Sequence, residues 1–300
     1  MGDKSRIEWT DASWNPTTGC DTISEGCDNC YAKRDAPRLQ KMMASQGVDA
    51  YQRDGAEPRS GKGFGFQTYP ERLAIPRRWT RPRRIFVNSM SDLFHEEMEI
   101  PFLEAVFDTM HDCPRHTFQV LTKRHRNMHR LLAGGWPHSP CSGPIADHRA
   151  EPLPNLWLGV SVENQTWADA RIPWLLKTPA RVRWLSMEPL LGPVDLSEWL
   201  GLGDWWCDMC DAFVSAEQVT GDETHVNCGM EVEWKAVLDW VVVGGESGPG
   251  FRPIDPAWVR NLRDQCVFAG VPFFFKQWSG LRPKALGREL DGRTWEEYPA

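Results

Sequence analysis

The sequence predicts an α/β protein, a parallel (β/α) barrel carrying one small insertion. Three observations lead there: short continuous apolar runs recur along the chain, helical patterns lie between most of them, and polar residues follow each run. The length of 300 residues suits this architecture, because such barrels use about 200–250 residues as one domain and leave room for an insertion. Residues 1–194 and 239–300 are assigned to the barrel, and 195–238 to the insertion.

The runs are Arg84–Ser89, Thr117–Thr122, Leu156–Val162, Arg181–Met187, Trp240–Gly245 and Pro272–Lys276, rich in Val, Phe, Leu and Trp. Strands of a parallel sheet are covered on both faces and so lose the apolar–polar alternation. The helical patterns carry their own punctuation. Pro101 stands in the first turn of one, and Asp255 caps another with Pro256 behind it and Gly270 as its stop. Asn164–Leu176 is a third, interrupted by Pro173. Before the first run, a short helix is expected over Ala36–Ala44, followed by a long loop to residue 84. Strand and helix alternating in this way imply right-handed crossovers.

Polar residues gather where the strands end. Asn88, Ser89 and Asp92 follow the first run, Thr122, Lys123 and Arg124 the second, and Ser161, Glu163 and Asn164 the third. Ser186 and Glu188 follow the fourth, Glu246 and Ser247 the fifth, and Lys276 the sixth. The C-terminal strand ends of a barrel carry its site, so these residues predict one polar mouth. For any single member the alternative is a helix cap or a loop ion pair.

Composition narrows the class. Hydrophobic residues make up 41% and Trp alone sixteen, enough for a large core. A mean hydropathy of −0.48 and the lack of a long apolar run argue against a membrane span. No apolar stretch follows Met1–Arg6, so a secretory signal is not expected, and the cysteines should stay reduced in the cytoplasm. A net charge of −7 argues against wholesale coating of nucleic acid. A local basic segment remains: Arg77, Arg78, Arg81, Arg83 and Arg84 surround Trp79. It reads either as a phosphate or nucleic-acid contact with Trp79 free to stack on a base, or as a solvated turn entering a strand.

Nine cysteines include two groups with ligand spacing. Cys20, Cys27 and Cys30 form C-x6-C-x2-C in a loop bracketed by Pro16, Gly19 and Gly26. Soft thiolates suit an iron–sulfur cluster, and three of them on a four-iron cube leave one iron for an outside ligand. Zinc on Cys27 and Cys30 and unligated thiols are the alternatives. In the insertion, Cys207 and Cys210 precede His225 and Cys228, a set suited to tetrahedral zinc or, failing that, to plain loop thiols. Cys113, Cys141 and Cys266 are isolated and read as small core or surface residues. Gly244-Gly245-Glu246-Ser247-Gly248 resembles a phosphate cradle but lacks the following Lys.

The cysteine loop, with Asn15-Pro16, Ser24 and Cys30-Tyr31-Ala32, resembles a phage-associated family of unassigned function, named after phage gene products thirty-seven and sixty-eight and similar to radical SAM enzymes. The likeness extends to Leu121–Arg124, Gly159–Asn164, Glu188–Gly192, Gly244–Gly248 and Phe274–Trp278. Against the wider radical SAM pattern, six residues rather than three separate the first two cysteines, and Asn29 replaces an aromatic. The resemblance implies an incomplete barrel of the radical SAM type with a 4Fe-4S cluster on Cys20, Cys27 and Cys30. It implies S-adenosylmethionine bound at the open iron and cleaved reductively for hydrogen abstraction from a substrate, nucleic acid among the candidates. A one-electron donor such as a flavodoxin or ferredoxin would then be a partner. Asn88, Ser89, Asp92, Ser161, Glu163 and Asn164 are the candidates to hold cofactor, and Lys123, Arg124, Glu188, Glu246, Lys276, Arg77 and Arg78 to hold substrate. The competing expectation is a non-catalytic, metal-stapled nucleic-acid-binding protein.

Overall fold

The structure, a computed structural model, describes residues 5, 7–132, 152–200, 204–207, 209–210, 212–215, 218–220, 222, 224–230, 233–234 and 238–300, without the side chains of 204–207, 212–215 and 233–234. Cys141 and the thiol of Cys207 therefore lie outside the described residues.

Seven parallel strands form one sheet: β1 (Ala12–Trp14), β2 (Arg84–Val87), β3 (Thr117–Thr122), β4 (Leu156–Ser161), β5 (Val182–Met187), β6 (Trp240–Gly244) and β7 (Phe273–Gln277). Each pairs with the next in chain order, β1 and β7 are the outermost strands of a half-barrel, and the outer side of β7 is met by the C-terminal segment, where Phe275 N donates to Trp295 O at 3.0 Å and Glu297 N to Phe273 O at 3.2 Å. Six strands lie within a residue or two of the apolar runs. β1 was not expected, because three residues of mixed character carry no pattern; it is a strand because Ala12 and Trp14, both fully buried, pair with Ile85 and Val87.

Among the described residues five helices lie between strands: α1 (Tyr31–Ser45), α2 (Ile100–His111), α3 (His125–Leu132), α4 (Gln165–Leu176) and α5 (Pro256–Ala269). The Asp255 carboxylate accepts from Ala257 N at 2.8 Å, and Gly270 ends α5 in the left-handed conformation. Asn164 caps α4 by accepting from Trp167 N, and the helix continues through Pro173 rather than breaking there. α1 starts at Tyr31, five residues before the expected Ala36, because Ala32 and Ala36 pack their small faces against Phe64.

Alternation along the strands sorts two faces. Ile85, Val87, Phe118, Val120, Leu158, Val160, Leu185, Met187, Val241, Val243, Phe273 and Phe275 join the helix-covered core. Phe86, Trp184, Trp240, Val242 and Phe274 point the other way, into the curl. There Trp9 touches Phe86 of β2 and Trp184 and Trp240 of β5 and β6, with ring centroids 4.8, 5.1 and 6.1 Å away. One indole thus spans the sheet and forms an apolar floor. Gly159 belongs to the same packing, since a Cβ there would lie 2.6 Å from the Trp184 ring.

The insertion carries a separate antiparallel sheet of 204–207, 212–215 and 233–234. Cys113 and Cys266 are buried core residues, as expected.

Candidate functional site

The loop after β1 crosses the C-terminal ends of the strands and is tied down by its backbone. Gly19 N donates to Met90 O at 3.0 Å and Cys20 N to Phe64 O at 3.3 Å. Gly19 has φ +86°, and a Cβ there would overlap the Gly65 carbonyl. Gly19→Ala is therefore expected to destabilise the protein by about 1–3 kcal/mol, read from the denaturant midpoint; an unchanged midpoint would show that the loop gives way freely. A 3₁₀ turn over Glu25–Cys27 follows, and Cys30 immediately precedes α1.

Cys20, Cys27 and Cys30 are all half-buried and not disulfide-bonded. They feel one another, since charge on Cys27 acts on both Cys20 and Cys30. Burial pushes the Cys20 thiol up to about 12 against the opposing Arg124 charge, and burial likewise raises Cys30. The Arg124 guanidinium donates to Cys20 Sγ at 3.2 Å and to Glu96 at 2.8 Å. Asp92 lies 3.5 Å from Arg124 and also accepts from Thr122 Oγ1 at 2.7 Å and Lys123 N at 3.1 Å. A charged network at the end of β3 thus orients one thiol.

Two latches hold the rest of the loop. On the β4 side, fully buried Glu163 accepts from Ser24 Oγ at 2.8 Å and pairs with Lys123 at 2.8 Å and Arg171 at 2.7 Å. Asn164 Nδ2 and Trp167 Nε1 donate to the Glu25 carboxylate at 2.5 and 2.9 Å. On the β6 side, Glu246 accepts from Asn29 Nδ2 at 2.9 Å and from Arg252, whose other contacts are Glu25 O at 2.9 Å and Asp28 at 3.4 Å. Arg252 and Asn29 outweigh burial and hold the Glu246 carboxyl below its ordinary range.

The other expected residues divide between mouth and rim. Lys276 is paired with Glu188 at 2.7 Å, so the two neutralise each other. Ser89 Oγ donates to Asn15 Oδ1 at 3.1 Å, and the Tyr31 hydroxyl reaches across to Ser89 O at 2.5 Å. Ser161 is buried and faces Ser186 across β4 and β5. Asn88 ends β2 with φ +62°, is 4% exposed, and neither end of its amide has a partner. A buried amide without partners is costly unless a ligand or water meets it.

The basic segment lies elsewhere. Pro76–Arg78 forms a 3₁₀ turn ahead of β2, at the N-terminal end of the strands, and Arg77 is paired with Asp112 at 2.8 Å. Arg78 is exposed beside it. Trp79 is buried edge-on to His116, which corrects the expectation that it is free to stack on a base.

Ser24, Glu25, Asn29, Arg171 and Arg252 were not anticipated. The loop residues find partners far along the chain, Ser24 at 139 residues in Glu163 and Asn29 at 217 in Glu246, and no local spacing signals such pairs, whereas Arg171 and Arg252 lie 8 and 6 residues from Glu163 and Glu246.

Among the described residues, one group has ligand atoms all within 4.8 Å of one another, namely Cys210, His225 and Cys228, and this group can bind a metal. A single tetrahedral zinc would bring sulfurs to about 3.8 Å, whereas a cluster gives each thiolate its own iron corner. The Cys210, His225 and Cys228 group fits a single ion.

No helix of the described residues is long and apolar enough to cross a membrane. No curated protein and no solved structure matches the chain. The family described as "Protein of unknown function (DUF5131)" matches residues 4–299, and the chain, with its cysteine loop latched over a parallel half-barrel, belongs to that family.

Proposed function

We propose that the protein is a radical SAM-type enzyme with a 4Fe-4S cluster on Cys20, Cys27 and Cys30. The observation that supports this reading is the placement of three half-buried, unbridged thiols on one loop over the C-terminal mouth of an open parallel half-barrel. Cluster and S-adenosylmethionine together supply reductive cleavage to a 5′-deoxyadenosyl radical, with the electron from a donor such as a flavodoxin or ferredoxin. This chain's residues hold and orient. Arg124 and Asp92 set the Cys20 thiol, while Glu163 and Glu246 fix the loop on two sides. Asn88 is left to meet bound cofactor or substrate through its unpartnered amide. Unpaired thiols and such a cluster belong to the reducing cytoplasm. In the same reading the Cys210, His225 and Cys228 group holds zinc. A metal-stapled nucleic-acid-binding protein has less support, since Trp79 is buried and Arg77 is paired.

Anaerobic reconstitution with iron and sulfide tests the proposal. A brown protein that releases 5′-deoxyadenosine from S-adenosylmethionine on reduction is expected. A colourless protein that makes no 5′-deoxyadenosine overturns it.

A further inference from the structure

The tip of the insertion poses a packing problem. Among the described side chains of residues 204–237, His225 alone is buried, at 3% exposure, while Met209, Val226 and Met230 are 68, 54 and 47% exposed. Apolar burial among these described side chains does not account for the buried imidazole, since the three apolar ones stay in water. Something polar must be gathered at that ring.

The surroundings of the ring say what. Nδ1 of His225 lies 3.2 Å from Cys228 Sγ and 3.5 Å from Cys210 Sγ. In tetrahedral zinc, with Zn–S about 2.3 Å and Zn–N about 2.0–2.1 Å, neighbouring nitrogen and sulfur ligands stand about 3.5 Å apart. The observed distances are the edges of such a tetrahedron. The other nitrogen, Nε2, lies 3.3 Å from Asn227 Nδ2; with Nδ1 on the ion Nε2 carries the ring proton, and the Asn227 amide turned over presents Oδ1 to accept it, the contact that fixes which nitrogen of a metal-bound histidine faces the ion. His225 O accepts from Cys228 N at 3.3 Å and Gly229 N at 2.7 Å, closing a tight turn that brings the second sulfur back to the ring. Mixed thiolate and imidazole ligands select zinc over calcium or magnesium.

We propose that Cys210, Cys228 and Nδ1 of His225 bind a structural zinc ion, that Cys207 completes the tetrahedron, and that Asn227 fixes the imidazole through Nε2. Cys207 is assigned by the C-x2-C spacing alone: it ends the strand 204–207, whose hairpin partner is 212–215, and Cys210 sits in the intervening turn. Four protein ligands leave no open position, so the ion staples the insertion and takes no part in the radical chemistry. The proposal rests on the zinc reading of this group and is independent of the cluster.

The test uses the full chain with Cys20, Cys27 and Cys30 all replaced by alanine, so that those thiols contribute nothing. Metal analysis of this protein is expected to give one zinc per chain, and His225→Ala in it to give none. Zinc that disappears with Cys20, Cys27 and Cys30, or survives His225→Ala undiminished, overturns the site; loss of iron with zinc retained touches only the cluster reading. Asn227→Ala disturbs no ligand, and chelator competition should show zinc bound about 10–100-fold more weakly; parent affinity removes Asn227 from the proposal. Cobalt in place of zinc reports the thiolates directly. Cys207→Ser should lower the thiolate-to-cobalt charge-transfer band by about a third, and an unchanged band excludes Cys207.

Discussion

Cys20→Ala, Cys27→Ala and Cys30→Ala are each expected to strip most of the iron from reconstituted protein and to abolish release of 5′-deoxyadenosine. In the proposed cluster each thiolate would hold one corner, and the two left after a substitution could not keep a second iron from exchanging with solvent. The loop itself should survive, because its fastening comes from Ser24, Glu25 and Asn29 rather than from the sulfurs. Circular dichroism and thermal midpoint should therefore stay close to the parent's while iron falls. Full iron retention in any one variant would remove that cysteine from the assignment. Simultaneous loss of iron and fold would mean that the sulfurs, and not the latches, hold the loop.

Arg171→Met is expected to destabilise the protein by about 3–5 kcal/mol, the usual consequence of leaving one partner of a buried ion pair alone. Both side chains are fully buried, and Arg171 Nη1 also donates to Ser161 O at 2.7 Å, so the substitution strips Glu163 and a backbone carbonyl together. Lys123 remains beside Glu163 and limits the loss. A companion Glu163→Gln should restore part of it by removing the uncompensated charge. The sign of the pH dependence follows from the carboxyl. Burial alone would raise the Glu163 pKa, but the Lys123 and Arg171 charges overcome it and bring it to about 2. A depressed folded value means that this contribution is complete above the unfolded value near 4.3 and is lost as pH falls from there through about 2. In Arg171→Met the folded value rises towards the unfolded one, so this contribution shrinks and less stability should be lost on acidification. Denaturant titrations at neutral and acid pH decide the matter, and a single variant within about 0.5 kcal/mol of the parent at neutral pH would show the pair to be energetically idle.

Much of this arrangement was legible in the chain because β2 to β7 are covered on both faces and so read as unbroken apolar runs. β1 was not, since Ala12, Ser13 and Trp14 acquire their strand only from pairing with β2. The polar strand ends converge as expected, yet convergence did not tell holders of ligand from holders of loop. Asp92 meets Arg124, Glu188 meets Lys276, and Glu163 meets Lys123 and Arg171, so several expected ligand contacts are already matched within the protein. Charge complementarity between strand ends 30–90 residues apart leaves no periodic trace, and only the folded sheet shows which partner each finds. The insertion behaved oppositely. Its ligand residues were visible as spacing, and the structure brought three of them together at bonding distance of a single ion.

The β6-side latch also sets an order in time. Ser24 and Glu25 meet partners on β4 and α4, synthesised about midway along the chain, whereas Asn29 waits for Glu246, 217 residues later. At the ribosome's pace of about 5–20 residues per second, that interval is roughly 10–40 s. Until Glu163, 139 residues after Ser24, is made, the nascent loop carries its three thiols with neither latch closed, and for the remainder of that interval with only the first. Its second fastening closes when β6 and Arg252 have left the exit tunnel, so a fully seated loop belongs to the last stage of biosynthesis.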